Sequence, residues 1–332
     1  SLAYIILTVA LVVLIGALSD EMPNAWQALK TMELRYVLLA VLCFLGFFLF
    51  RTVALYYFIR QQGVVLRFGT ALNAAILGQY YSGITPAATG GQPMQVYHLK
   101  KNGVPVSVGT SAVGVKFICF QLVLMTVCIV LWTCNPGLAA RQIGPSKWLV
   151  IFGFVLNLMG VALVVLLMIN ESIVQVILRL GIRWGARLHL IKDPQRIQCK
   201  AMAGIEEFHE RVKLLMQRPF LMIMMLFWTL CYILCYMSIV YFLYRAFGLT
   251  AMRWDELLTL QLLLYITVSF MPMPGASGAQ EGGFYLFFRG AFPEGNLLAA
   301  LMVWRFFTYY LILIIGAGMI VVNSIRNARR SL

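Results

Sequence analysis

Two short segments rich in proline and glycine interrupt strongly apolar parts of the chain, and they constrain its fold more than any other feature. The first runs Pro-Ala-Ala-Thr-Gly-Gly-Gln from Pro86 to Gln92, and the second runs Pro-Gly-Ala-Ser-Gly-Ala-Gln from Pro274 to Gln280. Proline lacks a backbone donor and glycine disfavours helix, so neither segment can continue an ordinary helix. Irregular backbone at membrane depth is tolerated only where protein or a watery cavity satisfies it. The matched pair therefore predicts a transport site built from broken helices.

Several stretches of the chain are apolar and long enough to cross a membrane, which takes roughly 20 residues. The six predicted spans lie at about 2–18, 34–59, 107–133, 148–169, 219–246 and 296–322. The first has no basic leader and no clear cleavage site, so we interpret it as a retained membrane helix. Two shorter apolar stretches, 69–82 and 257–271, run directly into the Pro/Gly segments. With 61% hydrophobic and 11% charged residues, the sequence predicts an all-α integral membrane protein.

The basic residues between the spans predict how the chain is oriented. Most of them fall on one side when the loops 60–68, 97–106 and 170–218 are placed together with the C-terminus. The positive-inside rule makes that side cytoplasmic. Because 60–68 and 97–106 then share a face, residues 69–102 are predicted to enter and leave the membrane there as a re-entrant hairpin. Residues 257–289 form the corresponding hairpin from the opposite face.

The two Pro/Gly segments are separated by an offset of 188 residues (274 − 86). When 188 is added to the residue numbers of the spans that flank the first segment, the result is close to the spans that flank the second. The sequence thus predicts the order helix, re-entrant hairpin, helix, used twice with inverted topology. We predict one membrane domain over 1–332, with repeat 1 at about 34–133 and repeat 2 at about 219–322. The spans 2–18 and 148–169 do not fit the offset and are predicted to be peripheral.

The loop 170–218 is predicted to be cytoplasmic, helical and amphipathic. An apolar stripe that begins at Ile173 lies beside basic residues such as Arg179. That pattern is typical of a helix that lies on an anionic membrane surface. A second stripe, which includes Phe208 and Val212, fits equally well with packing beneath the bundle.

Ionisable residues inside a membrane are costly and therefore point to function. Four fall in the predicted membrane segments: Arg51, Lys116, Glu281 and Arg305. The offset carries Lys116 to Trp304, the neighbour of Arg305, so these two cations occupy nearly equivalent positions. We predict that they bind a lipid phosphate, with arginine as a fork and lysine as a point charge. Glu281 would then face a cationic headgroup amine or balance the cations of an empty site.

Structural alternatives exist for several of these residues. Lys116 and Arg305 could instead form an internal ion pair with Glu281 or bond to hairpin carbonyls, and Arg51 could be a snorkelling anchor. The same region offers neutral donors and acceptors from Gln79, Gln92, Gln95 and Gln280. Tyr80 and Tyr81 either line a path or pack. The helix breaks themselves are assigned to Pro86, Gly90, Gly91, Pro274, Gly275 and Gly278.

Other function classes find little support in the sequence. The basic residues flank apolar spans and form no soluble basic face, so no nucleic-acid partner is expected. The seven cysteines are scattered and the three histidines have no ligand spacing, so we predict no metal site and no cofactor. No catalytic motif is present, and we predict that the chain is not an enzyme. Without an ATP-binding motif, transport would be downhill, gradient-coupled or driven by another chain.

The segments around the two breaks resemble a known family. They are TPAATGGQPMQVYHLKKNGVPVS at 85–107 and PMPGASGAQEGGF at 272–284. They are similar to the membrane region of lysylphosphatidylglycerol synthase/flippase proteins, the multiple peptide resistance factors and their shorter flippase-like relatives. Many relatives carry an acid after the first Gly-Gly and a basic residue three positions later, where this chain has Gln92 and Gln95. Bifunctional members add a soluble aminoacyl-transfer domain; the sequence stops just past its last predicted helix, so no synthase activity is assigned to it.

The resemblance implies translocation of aminoacylated phosphatidylglycerol between leaflets, which alters surface charge and resistance to cationic antimicrobial peptides. The leading hypothesis is therefore a flippase for lysyl-phosphatidylglycerol or a related anionic phospholipid in the bacterial cytoplasmic membrane. One alternative is a membrane module that presents lipid to a separate aminoacyl-phospholipid synthase. Another is a secondary transporter of a small anionic solute. The lipid, the direction, the energy source and the oligomeric state are left open by the sequence.

Overall fold

The computed structural model describes most of the chain in ordered ranges. These are residues 22–138, 144, 147–187, 202, 206–210, 212–213, 217–269, 271–293 and 295–330. Within these ranges the secondary structure is helical and contains no strand. The predicted span at 2–18 lies outside the described residues, as does much of the loop 170–218.

The helices are numbered in chain order. They are α1 (Met22–Lys30), α2 (Leu34–Arg60), α3 (Phe68–Ile84), α4 (Gly91–Lys101), α5 (Val106–Cys134), α6 (Lys147–Ile169), α7 (Glu171–Arg187), α8 (Pro219–Ala246), α9 (Trp254–Val268), α10 (Ala279–Phe288), α11 (Leu297–Arg305) and α12 (Leu311–Arg330). Short 3-10 turns at Pro86–Ala88 and Pro274–Ala276 are called here the first turn and the second turn. A π-helical turn, Phe306–Tyr310, joins α11 to α12.

Five stretches of the described chain are long and apolar enough to cross a membrane. They are α2, α5, α6 and α8, together with Leu297–Asn323, which α11 and most of α12 form. Their bounds agree within a few residues with the spans predicted from hydropathy, so those five helices are confirmed. The π-helical turn directly after Arg305 is a feature that hydropathy could not predict, because it changes the backbone path without changing the apolar character.

The two turns follow nearly the same backbone path at positions one offset apart. Ala87 and Gly275 have φ angles of 49° and 61°, and the alanines that follow them have 56° and 48°. Left-handed backbone costs a residue with a Cβ about 1–2 kcal/mol. Alanine occupies three of these four positions all the same, so the surrounding helices must hold both turns in this shape.

The helices before and after the first turn make packing contacts equivalent to those of the helices around the second turn. Helices α2 and α8 lie one offset apart in sequence and pack against each other along their lengths. The two short helices that flank each turn also pack together, α3 with α4 and α9 with α10. Across the two halves, α3 contacts α12 and α9 contacts α5, and the two turns touch each other. Both helix breaks therefore meet where the halves adjoin.

Helix α6, predicted to be peripheral, is tied to the second half by buried polar contacts. Asn157 Nδ2 donates to the Ile266 carbonyl at 3.2 Å and to Ser269 Oγ at 2.9 Å, at the end of α9. Gln121 Nε2 donates to Asn157 Oδ1 at 2.9 Å. At Gly153 a Cβ would lie 2.7 Å from the Ile266 carbonyl oxygen, so glycine permits this close approach. The helix thus supports the hairpin that carries the second turn.

The two apolar stripes predicted in the 170–218 region differ in exposure where the structure describes them. In α7 the side chains of Val176, Arg179 and Leu180 are exposed, which fits a helix on a membrane surface. In the second stripe Val212 is buried, and Phe208 packs against the cluster of buried residues that contains Val212. For these two residues the packing alternative describes the structure.

Candidate functional site

A cavity of about 250 Å³ lies beside the two turns. It is lined by residues of both halves, from helices α2, α3, α4, α5, α8, α9, α10, α11 and α12. The residues singled out in the sequence that line it are Arg51, Gln79, Gln92, Gln95, Lys116, Gly275, Gln280 and Arg305. The cavity also touches Ala87 and Ala88, which are exposed, so it opens to the surface of the molecule at the first turn. Side chains that are distant in sequence therefore share one polar space.

Lys116 is a buried cation in the middle of α5. Its side chain Nζ donates to Gln95 Oε1 at 2.6 Å, and Lys116 itself is 5% exposed. No salt bridge joins it to a carboxylate among the described residues. An ammonium has three donors, so a ligand in the cavity can accept those that Gln95 does not use.

Close packing of α3 and α4 places Gln95 beside Lys116. A Cβ at Gly91 would lie 2.5 Å from the Gly78 carbonyl oxygen, and a Cβ at Gly78 would lie 2.0 Å from Gln95 Nε2. Gly91 was predicted as a helix break, but it is the first residue of α4. Glycine at this position allows the close approach of α3 and α4. Gly90 is the position before the helix, where its N–H donates to Thr85 Oγ1 at 2.9 Å.

Arg305 is held by a buried carboxylate. Its Nε and Nη2 atoms each lie 2.6 Å from Glu281 Oε1, and the two residues are 3% and 0% exposed. Glu281 Oε2 accepts the Gly278 N–H at 2.6 Å. Arg305 also donates to the Gly275 carbonyl at 3.3 Å. The internal ion pair proposed as an alternative is thus present for Arg305, and it fixes the second turn to the end of α11.

The position of Glu281 decides between the roles expected for it. The sequence left two roles open for this carboxylate, to face a headgroup amine or to balance the cations of an empty site, and the contacts match the second. In the structure each oxygen is already engaged, one by Arg305 and the other by the backbone N–H of Gly278. The residues that line the cavity do not include Glu281. Its charge therefore offsets Arg305 and caps α10, and it is not presented to the cavity.

Arg51 reaches the same cavity from α2. Its guanidinium carbon lies 5.6 Å from the ring centroid of Phe47 and 6.0 Å from that of Tyr232. Its Nε atom is buried and has no hydrogen-bond partner among the described residues. A snorkelling anchor would direct the charge away from the interior, so the cavity-lining position favours the binding alternative for Arg51.

The cavity is positively charged overall. Glu281 compensates Arg305, while Arg51 and Lys116 have no carboxylate partner within the described part of the chain. Because a desolvated charge is costly unless it is paired, this lining is complementary to an anion.

The aromatic residues around the cavity are not the ones that the sequence singled out. Tyr80 and Tyr81 form an edge-to-face pair with ring centroids 5.2 Å apart, and neither lines the cavity, so packing describes them. The lining tyrosines are Tyr232, Tyr236, Tyr265 and Tyr309. No sequence signal distinguished them, because aromatic residues occur throughout α8 and the flanking helices.

Tyr309 explains why glycine is needed in the second turn. A Cβ at Gly275 would lie 2.3 Å from Tyr309 Cε2. We expect Gly275→Ala to lower the free energy of unfolding by about 1–3 kcal/mol, because the added methyl group overpacks the turn. The matched control is Gly282→Ala in α10, where a Cβ would meet nothing within 4 Å. That change should stabilise the helix by up to about 1 kcal/mol.

Unfolding of the purified protein in detergent, followed as SDS is titrated in, measures both changes. The expected order is Gly282→Ala above wild type and Gly275→Ala below it. If Gly275→Ala were as stable as Gly282→Ala, the contact between Tyr309 and the second turn would not constrain the backbone.

Comparison with known proteins adds one finding. A family model described as the lysylphosphatidylglycerol synthase TM region matches residues 3–316 of the chain. No curated protein matches it at a significant level. The matched range includes both turns and every cavity-lining residue named above.

Proposed function

The chain belongs to the lysylphosphatidylglycerol synthase transmembrane-region family, and from this premise we propose that it is a flippase for a phospholipid headgroup. Membership of the family indicates a membrane role in the handling of lysyl-phosphatidylglycerol. The observation that carries the proposal is the positively charged cavity beside two touching helix breaks. Two substrates are candidates for this movement between the leaflets: lysyl-phosphatidylglycerol, and a related anionic phospholipid such as phosphatidylglycerol.

In this proposal the two broken hairpins enter the membrane from opposite faces. The hairpins α3–α4 and α9–α10, with the spans that flank them, form an inverted repeat, and the predicted span at 2–18 completes six crossings. The equivalent left-handed backbone of the two turns and the counterpart packing of their helices support this arrangement. Broken helices of inverted repeats commonly frame a midplane site in transporters.

The chemistry proposed for the cavity follows from its free donors. Lys116 and Arg51 hold the headgroup phosphate, since charge-assisted hydrogen bonds are stronger than neutral ones. The carboxamides of Gln79, Gln92 and Gln280 supply neutral contacts. Arg305 positions the second turn through Glu281. The acyl chains stay in the lipid, because a space of about 250 Å³ accommodates a headgroup and not a whole phospholipid.

The cellular setting is part of the proposal. We place the protein in the bacterial cytoplasmic membrane with its C-terminus in the cytoplasm, where the basic residues near the end of α12 follow the positive-inside rule. Outward movement of an aminoacylated lipid would reduce the negative charge of the outer surface. Cationic peptides would then be attracted less strongly, and resistance to them would rise. An aminoacyl-phospholipid synthase, as a separate protein or a further domain, is the partner that would supply such a lipid.

A reconstituted system tests the proposed activity. The purified protein is placed in liposomes that contain phosphatidylglycerol with a fluorescent acyl chain, and dithionite is added outside to bleach accessible probe. We expect bleaching to proceed past the outer-leaflet plateau, because lipid from the inner leaflet becomes accessible. A second lipid, acyl-labelled lysyl-phosphatidylglycerol, is measured in the same way. If both lipids stop at the plateau of protein-free liposomes, the chain does not translocate them.

A further inference from the structure

The cavity contains more positive charge than the ion pair at its edge can neutralise. Three cations line it, Arg51, Lys116 and Arg305. The one carboxylate in contact with any of them, within the described residues, is Glu281, which pairs with Arg305. No acidic side chain lines the cavity among the residues that the structure describes. Arg51 and Lys116 therefore face the cavity without a counter-ion from the protein.

The remaining polar groups of the lining are neutral. Gln92 is exposed, and Gln79 and Gln280 are partly buried. The Gln280 Oε1 atom is buried and unpartnered in the described part of the chain. Carboxamides can hydrogen-bond a phosphate or a glycerol hydroxyl through their N–H groups and oxygen atoms. They give no charge that would compensate an ammonium taken out of water.

From this charge balance we propose that the cavity selects a phosphate headgroup that carries no amine, and disfavours an aminoacylated headgroup. The inference rests on the proposed function, in that a headgroup binds in this cavity, and of the two candidate substrates it selects the anionic phospholipid over lysyl-phosphatidylglycerol. A phosphate supplies the missing counter-ion for Arg51 and Lys116. An aminoacyl ammonium would meet two like charges and no free carboxylate, and like charges disfavour each other's charged form.

The phosphate could belong to a lipid or to a soluble phosphate ester, and the lining favours the lipid. Apolar side chains of Val268, Ile312 and Leu313 line the cavity together with the cations. Such a lining would suit the glycerol and the first carbons of the acyl chains. Phosphatidylglycerol and phosphatidic acid meet both requirements, and glycerol 3-phosphate meets only the first.

Competition binding tests the charge selection. The full chain in detergent binds phosphatidylglycerol with a fluorescent acyl chain, and unlabelled phosphatidylglycerol, phosphatidic acid, lysyl-phosphatidylglycerol and glycerol 3-phosphate compete. We expect the two amine-free lipids to compete at least about tenfold more strongly than lysyl-phosphatidylglycerol, which corresponds to about 1.4 kcal/mol. Equal or stronger competition by lysyl-phosphatidylglycerol would overturn the inference. Equal competition by glycerol 3-phosphate would preserve the charge selection and identify the source as a solute.

A single added carboxylate should change this preference. Gln92→Glu places a negative charge in the cavity lining, at an exposed position where it need not disturb the fold. We expect it to reduce the preference for phosphatidylglycerol over lysyl-phosphatidylglycerol by about tenfold. Gln27→Glu, exposed in α1 and away from the cavity, is the matched control and should leave the preference unchanged. An unchanged preference in Gln92→Glu would contradict the proposed charge selection.

The binding and translocation assays separate the two proposals. One outcome is that amine-free lipids compete more strongly in the binding assay, but bleaching in liposomes stops at the plateau. That outcome would support the proposed charge selection and contradict the flippase. Translocation of lysyl-phosphatidylglycerol in preference to phosphatidylglycerol would support the flippase and contradict the charge selection.

Discussion

Replacing Glu281 with glutamine is expected to lower the free energy of unfolding by about 3–5 kcal/mol, the cost of removing one partner from a buried ion pair. The change leaves the Arg305 guanidinium without its counter-ion in a position that is 3% exposed. It also weakens the bond from the Gly278 N–H, which now meets Glu281 Oε2 at 2.6 Å. The second turn is fixed to α11 by these contacts, so it should loosen together with the ion pair.

An exposed ion pair of the same chemistry provides the control for Glu281→Gln. Arg35 Nη2 lies 2.6 Å from Glu33 Oε2, with side chains 72% and 40% exposed. Water and salt screen such a pair, so Glu33→Gln should leave the stability nearly unchanged. SDS titration of both variants measures the difference. A loss for Glu281→Gln no larger than that for Glu33→Gln would show that the buried pair does not hold the second turn.

Replacing Lys116 with glutamine is expected to lower lipid affinity and the rate of translocation by about 10- to 100-fold. A hydrogen bond to a charged group contributes about 1.5–3 kcal/mol, and every 1.4 kcal/mol is about tenfold in affinity. The stability should not fall, because the variant removes a buried charge that has no carboxylate partner among the described residues. Lipid affinity and translocation should therefore fall while the stability does not.

The control for Lys116→Gln is Lys101→Gln, which removes an exposed charge at the end of α4. Both variants are compared in the competition assay and in the liposome assay, and both are titrated with SDS. Binding lost in Lys116→Gln and kept in Lys101→Gln would support the role of the cavity. Equal activity in the two variants would remove Lys116 from the site.

The helix breaks and the spans could be predicted from sequence because both depend on local chemistry. Proline and glycine interrupt a helix wherever they stand, and the apolar length of α2 or α8 is visible in any window. The shared spacing of 188 residues even predicted which turn positions correspond, Ala87 with Gly275. The left-handed backbone at those positions could not be predicted, since alanine normally avoids it.

The contacts of the site depend on three-dimensional packing and were only partly predictable. The cost of charge in a membrane drew attention to Arg51, Lys116 and Arg305, and all three line the cavity. The sequence predicted a shared site for Lys116 and Arg305 and left Arg51 open between an anchor and the site. Which cation Glu281 would pair with depends on how α10 meets α11, and no spacing rule fixes that contact. The lining tyrosines were missed for the same reason, because only the fold distinguishes a tyrosine that faces the cavity from one that faces lipid.

The central claim is that two mirrored hairpins carry the turns into the membrane from opposite faces. In a variant without its native cysteines, single cysteines at exposed positions report the two ends of each hairpin, and these positions are Val65, Lys100, Thr250 and Arg289. A membrane-impermeant maleimide is applied to sealed, oriented vesicles. The account predicts that 65 and 100 are labelled from one face, and 250 and 289 from the other. Labelling of 65 and 100 from opposite faces would contradict it.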